Sequence, residues 1–303
     1  DSYLAGLWHV YAPDIIEYKG KRIMFSGGWL TKSATGDDII YYSEASGNNW
    51  SKPIKVFEKN GYAVNDPTVI KHPTQDWLFM YYTALPKSAQ GGHEEMTSRN
   101  VIGFASSVNG GKSWTDHGIM VVQNNGYNND GAWAPSVVLS PDQKEFWVYY
   151  HTNSPSNIIL RSRLKLNGWE PAGITQRVEF RQQTAKGMIK HPLQKGRVNI
   201  DVDYTKAGEL GMVTNEFSLS QIGFYTSDPS GLIFTESSNI KNPIVSAGDN
   251  QVLTPALEVK NDRNFNVFFG FGTRNNPCSE EWIKAGVPGM RCSNSIHGWK
   301  FQR

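Results

Sequence analysis

The chain has 303 residues, 39% of them hydrophobic and 12% aromatic, with 30 Lys and Arg against 28 Asp and Glu. A formal charge of +2 gives no reason to expect nucleic acid or an anionic membrane as the partner, and no stretch approaches the roughly 20 apolar residues of a membrane-spanning helix. This length buries a substantial core without a second domain, so a single domain over 1–303 is expected.

In chain order the sequence says nearly the same thing five times. The first unit opens at Tyr11-Ala12-Pro13-Asp14-Ile15-Ile16, continues in Arg22-Ile23-Met24-Phe25 and Ile39-Ile40-Tyr41-Tyr42, and ends in a polar turn at Trp50. Asn65-Asp66-Pro67-Thr68-Val69-Ile70 opens the second, followed by the apolar run 77–82 and by 101–105 before Trp114. Trp133-Ala134-Pro135-Ser136-Val137-Val138 opens the third, with 146–150 and 158–161 before Trp169. The fourth begins at Asn199-Ile200-Asp201-Val202-Asp203-Tyr204 and the fifth at Leu253-Thr254-Pro255-Ala256-Leu257-Glu258, each again followed by short apolar runs. With Pro13, Pro67, Pro135, Val202 and Pro255 as markers, the units recur at intervals of roughly 50 to 70 residues, the signature of blades packed around an axis. The expected fold is all-β, a five-bladed propeller of four-stranded antiparallel blades. A propeller of another blade number and a two-sheet sandwich are the competing architectures, since alternating short strands also mark a sandwich. Ser107-Val108-Asn109-Gly110-Gly111-Lys112-Ser113-Trp114 resembles the Asp-box hairpin of sialidases and other propellers, a fold marker without chemistry.

In a propeller the first strand of each blade lines the central channel, so polar residues at its end converge from distant parts of the chain. Asp14, Asp66 and Asp201 occur near equivalent ends of three units, with Asp203 as the alternative to Asp201. The arrangement resembles the five-bladed glycoside hydrolases and related enzymes that include arabinanases, xylosidases, invertases and levansucrases. Tyr11-Ala12-Pro13-Asp14 resembles their Ala-Pro-Asp opening and Asn65-Asp66-Pro67 their Asp-Pro opening. The resemblance implies carboxylate chemistry on a polysaccharide or oligosaccharide, one carboxyl protonating the leaving oxygen while the other attacks or activates water. We expect Asp14 in the base role, Asp66 in substrate orientation or pKa tuning, and Glu216 as a weaker proton-donor candidate, with Asp201 a fourth pocket acid. The family's proton-donating glutamate has no counterpart at the third opening, where Trp133 stands two residues before Pro135. If Glu216 lies on an outer strand, its role passes to Asp201, Glu94 or Glu95.

Trp8, Trp29 and Trp133 are candidate sugar platforms, each with inter-blade packing as its alternative. Asn65 is a further substrate-binding candidate, and the polar loop 85–96 can bring His93 or Glu94 to the channel mouth. No cofactor is expected and no zinc-like ligand spacing occurs; the resemblance allows a structural calcium without assigning its ligands. Cys278 and Cys292 can close a loop of about 15 residues worth roughly 3 kcal/mol, which favours a secreted or periplasmic address. No signal peptide is visible, as in a mature or trimmed chain. The leading functional expectation is a glycoside hydrolase; a non-catalytic carbohydrate-binding propeller and a protein-interaction propeller are the alternatives. No oligomer interface is legible.

Overall fold

The computed structural model of the chain describes residues 2–5, 7, 9–30, 38–47, 49–87, 100–120, 131–152, 158–184, 186–191, 197–205, 207–216, 218–236, 240–261, 264–277 and 291–302. After β1 (Ser2–Ala5), the first sheet is built from β2 (His9–Tyr18), β3 (Lys21–Trp29), β4 (Ile39–Ser46), β5 (Asn49–Trp50) and β6 (Ile54–Phe57). The second holds β7 (Tyr62–Lys71), β8 (Leu78–Pro86), β9 (Val101–Ser107) and β10 (Thr115–Met120). The third holds β11 (Trp133–Leu139), β12 (Glu145–His151), β13 (Ile159–Lys165) and β14 (Gln176–Arg177). The hairpin β15 (Glu179–Thr184) and β16 (Gly187–Lys190) joins β17 (Arg197–Tyr204), β18 (Leu210–Glu216), β19 (Ser218–Ser227), β20 (Ile233–Glu236) and β21 (Val245–Ser246) in the fourth. The last contains β22 (Gln251–Val259), β23 (Asn264–Pro277) and β24 (Arg291–Gln302), and is completed by β1, which pairs antiparallel with β24 through Leu4 and Ile296.

The fold is all-β and arranged as a propeller, but five equal blades of four antiparallel strands do not form. Four sheets have the four or five strands of a blade, whereas the fourth in chain order is a separate seven-stranded sheet. The five-blade count, and the resemblance to five-bladed enzymes in that respect, are corrected accordingly. The cause is the segment after β14, which reads as a polar connection: β15 adds to the sheet edge in parallel with β20, pairing Phe180 with Phe234, and folds back as β16. Phe180 and Phe234 are both fully buried and, with Val178, join the core cluster that holds the hairpin to the sheet.

Apolar cores lie between successive sheets. Phe25, Ile40, Val64 and Met80 fill the space between the first and second; Phe79, Phe104, Phe146 and Val148 the next. Tyr149, Ile200 and Met212 follow, then Val213, Phe224 and Val267, and finally Val10, Met24 and Phe268 between the last sheet and the first. The Ser107 to Trp114 turn serves this packing: Asn109 Oδ1 accepts the Ser113 N–H, and the Trp114 ring meets Phe25 edge-on at 5.7 Å.

The inner strands β2, β7, β11, β17 and β22 neighbour one another in a ring, and each is interrupted at the same station. The register slips between Tyr11 and Asp14, Asn65 and Thr68, Trp133 and Ser136, Val198 and Ile200, and Leu253 and Ala256. At each slip one non-glycine residue takes a left-handed backbone: Ala12 (φ 48°), Asp66 (46°), Ala134 (44°), Asn199 (50°) and Thr254 (43°). Such a conformation costs roughly 1–2 kcal/mol for an L residue, so packing around the axis imposes it. The fourth marker is therefore Ile200 rather than Val202, and Asp201 rather than Asp203 is the equivalent of Asp14.

In four of the five sheets the residue two places after the left-handed one latches its sheet to the next. Asp14 Oδ2 accepts the Val69 N–H (2.6 Å), Thr68 Oγ1 that of Val137 (3.2 Å), Ser136 Oγ that of Val202 (2.9 Å) and Asp201 Oδ2 that of Leu257 (2.7 Å). The fifth position is Ala256, which has no acceptor; there Asp14 also takes the Ile15 N–H. Among the described residues no helix is long and apolar enough to cross a membrane.

Candidate active site

Asp66 is the one carboxylic acid at the left-handed station, where the other sheets place Ala, Ala, Asn and Thr. It is 5% exposed. Thr83, its neighbour on β8, donates its hydroxyl proton to Asp66 Oδ2 at 3.0 Å and accepts the Ala134 N–H at 2.9 Å, so a single hydroxyl ties the acid to the third sheet. Burial outweighs these bonds and lifts the Asp66 pKa to about 7.

Asp14, Asp66 and Asp201 line one narrow space of about 10 Å³ at the waist of the channel, together with Pro13, Pro67, Pro135 and Pro255; it has room for roughly one water. Beyond the waist, towards the ends of the inner strands, a cavity of about 320 Å³ is lined by Asp14, Glu17, Lys71, Asp201, Asp203 and Tyr204 among others. Burial, and then the Asp201 charge, raise the Asp14 pKa well above the usual carboxylate range. Burial raises Asp201 to about 6 against the bonds from Ser136 and Leu257. Ser136 donates to Asp201 Oδ1 at 2.7 Å, so both Asp201 oxygens are engaged.

On the other side of the waist Asn65 Nδ2 donates to the Tyr11 hydroxyl (2.7 Å) and to Asp38 Oδ2 (3.4 Å), while Tyr11 donates to Asp38 Oδ2 (3.0 Å). The Asn65 amide is oriented by this pair of acceptors, since a flip would turn its oxygen onto the Asp38 carboxylate. Its Oδ1 is left buried without a hydrogen-bond partner. Trp29 is 1% exposed and packs on His9 at 4.2 Å, which makes it part of the wall rather than an open shelf. Trp133 is half-buried and lies parallel to His151, 6.3 Å away and 13° from coplanar.

His151 is a residue that sequence reasoning missed. It is 4% exposed, held through Nδ1 to the Thr152 carbonyl (3.2 Å), and burial lowers its pKa to about 4, so the ring is neutral. Its signal was available only in register: it faces Trp133 across β11 and β12. Thr83, Tyr11 and Asp38 were likewise not singled out, because their roles arise from contacts between sheets.

Glu216 lies at the end of β18, a second strand, and does not line the waist. Its carboxylate accepts from Tyr225 in a short contact and stands 3.8 Å from Arg197, whose guanidinium is buried between Phe180 and Tyr225. Trp8, His93, Glu94 and Glu95 lie outside the described residues, as does the Cys278 end of the expected disulfide, so no disulfide is shown. Among the described residues no group of three His, Cys, Asp or Glu is arranged to hold a metal ion.

No protein-family model and no curated protein matches the chain. Solved structures do match along almost its whole length. An N-acetylgalactosamine deacetylase from F. plautii, in complex with blood group B trisaccharide, superposes with a TM-score of 0.66 at 12% identity, covering 99% of this chain and 92% of that one. The β-xylosidase RS223 gives 0.64 at 12% identity over 98% and 94%, and a GH43_1 enzyme from Xanthomonas citri, complexed with xylotriose, 0.63 at 14% over 99% and 89%. At these identities the likeness shows a shared fold.

Proposed function

We propose that the protein is a glycoside hydrolase acting on a polysaccharide or oligosaccharide, with carboxylate chemistry in the central channel and Asp66 as the acting carboxylate. The observation that carries this reading is the convergence of three carboxyls from three sheets, Asp14, Asp66 and Asp201, on one narrow space. Hydrolysis of a glycosidic bond needs one carboxyl that keeps its proton near neutral pH and one that gives it up. Burial, and then the Asp201 charge, raise Asp14 well above the usual carboxylate range, while burial raises Asp66 to about 7 and Asp201 to about 6. This supports Asp66 as the base in place of Asp14, and Asp14 as the proton donor in place of Glu216. Trp133, half-buried beside His151, is the substrate-binding group that goes with it, and Asn65 holds the channel wall through Tyr11 and Asp38. The fold shared with the xylosidase and the xylotriose-bound enzyme supports the substrate class, and a single domain over 1–303 with a secreted or periplasmic address suits it.

A non-catalytic carbohydrate-binding propeller is the second reading, favoured by the third opening, where Trp133 stacks on a neutral imidazole and no carboxyl is present. Reducing-sugar release from a panel of plant, algal and microbial polysaccharides, compared between the intact protein and Asp66→Asn, separates the two. Release that disappears in a folded Asp66→Asn variant is expected. Saturable binding by calorimetry with no release on any polysaccharide would replace the first reading by the second.

A further inference from the structure

Among the described residues Trp77, Trp169 and Trp299 are exposed, and the first two belong to one assembly at neighbouring turns. Trp169 is 47% exposed and Trp77 40%. Trp169 lies near-parallel to His117, at 5.8 Å and 25°, and His117 in turn stacks on the buried Phe104 at 5.1 Å and 29°. The Trp169 indole thus leans on His117 and on Phe104 while about half of the residue stays exposed. The turn that presents it is fixed: Asn167 Oδ1 accepts the N–H groups of Trp169 (3.2 Å) and Glu170 (3.0 Å), and the Gly168 carbonyl accepts the Tyr81 hydroxyl (2.8 Å). Gly168 has a φ of +90° and a Cβ there would strike Phe104 and Phe79, so the turn and the stack are built together.

Trp77 belongs to the same assembly. Its ring centroid is 6.4 Å from those of Phe79 and His72, and His72 Nε2 is hydrogen-bonded to the Leu166 carbonyl at 3.1 Å, joining the turn that carries Trp77 to the one that carries Trp169. Tryptophans at comparable turns are covered instead: Trp114 donates Nε1–H to the Gly111 carbonyl at 3.0 Å and meets Phe25, and the Arg22 guanidinium lies over Trp50 at 4.9 Å. The hairpins therefore do not require open indoles.

We propose that Trp77 and Trp169 form a second carbohydrate-binding site, at the outer junction of the second and third sheets, that takes the apolar faces of pyranose or furanose rings in a neutral polysaccharide. A flat open aromatic face suits the C–H face of a sugar. Its rim is polar and of mixed charge, with His117 bonded to Ser106 (2.8 Å) and Lys165 paired with Glu170 (2.7 Å), which favours an uncharged ligand. Two indoles of about 150–250 Å² each fall short of the roughly 800 Å² per partner of a stable protein interface, so a sugar chain rather than a protein is the occupant. The ligand class rests on the carbohydrate reading above; the location does not.

Native affinity electrophoresis in gels containing soluble xylan, arabinan, galactan or mixed-linkage β-glucan tests it, with the intact protein, Trp169→Ala, Trp77→Ala, Trp169→Phe and Asp66→Asn. Retardation of the intact protein by at least one polysaccharide is expected, weakened roughly tenfold or more in each alanine variant, a loss of about 1.4 kcal/mol, partly kept in Trp169→Phe and unchanged in Asp66→Asn. Near-UV circular dichroism checks that each variant is folded. Equal retardation of the intact protein and both alanine variants, retardation lost only in Asp66→Asn, or no retardation of the intact protein overturns the inference. Trp-dependent retardation in a protein that releases no sugar removes the hydrolase reading and leaves this one standing.

Discussion

Replacing Asp66 by Asn should stabilise the protein in a pH-dependent way while removing its chemistry. In the folded state burial lifts the Asp66 pKa from 3.8 to about 7. The folded protein therefore holds this proton more tightly than the unfolded chain does, and the stability linked to it is fully present below about pH 4 and lost as pH rises through about 7. A shift of roughly 3 units at 1.36 kcal/mol each amounts to about 4 kcal/mol as an upper figure. Asn is neutral throughout, can still accept the Thr83 hydroxyl, and tolerates the left-handed backbone at φ 46°. Asp66→Asn should therefore match the intact protein near pH 4 and exceed it by about 2–4 kcal/mol at pH 8. Urea unfolding of both proteins at intervals from pH 4 to 8.5, with equal m-values, measures the difference directly. The other titrating acids, Asp14 and Asp201 included, are common to both proteins and largely cancel. A difference that stays flat with pH, or a variant less stable at pH 8, would refute the burial argument.

Further expectations concern the links between sheets. Thr83→Val, close in shape, removes the donor to Asp66 and the acceptor of the Ala134 N–H; it should cost about 1–3 kcal/mol in chemical denaturation. Ser136→Ala strips the Val202 N–H of its acceptor and Asp201 of a donor, which should raise the Asp201 pKa above about 6 in a carbon-13 NMR titration of the carboxyl. Gly270→Ala would place a Cβ 2.7 Å from Tyr11 Cβ and 2.9 Å from its Cα, wedging the last sheet from the first at a cost of about 1–3 kcal/mol in thermal unfolding.

The inner strands and their Pro-marked openings were legible because a period-two apolar pattern flanking a fixed turn residue is a local signal. The fourth unit lacks that proline, so its sequence points to Val202, two residues past Ile200, where the left-handed Asn199 marks the slip. The seven-stranded sheet escaped notice for a related reason: β15 is recruited by a parallel pairing to β20, across some fifty residues of chain, that its own polar composition does not announce. At the site, Asp14, Asp66 and Asp201 were visible as acids at repeat openings. Their differences were not, because whether a carboxyl latches the next sheet, as Asp14 and Asp201 do, or sits at the left-handed station, as Asp66 does, depends on a bulge one residue wide. Trp29 shows the same limit: an aromatic beside a channel reads alike whether it faces ligand or lies 1% exposed in the wall.

The most direct test of Asp66 as the acting base is the pH dependence of kcat/KM on whichever polysaccharide releases reducing sugar. Since that profile reports the free protein's essential groups, activity should rise with pH through an ionisation near about 7, the value burial gives Asp66. A profile flat between pH 6 and 8, or one falling through that range, would contradict the assignment.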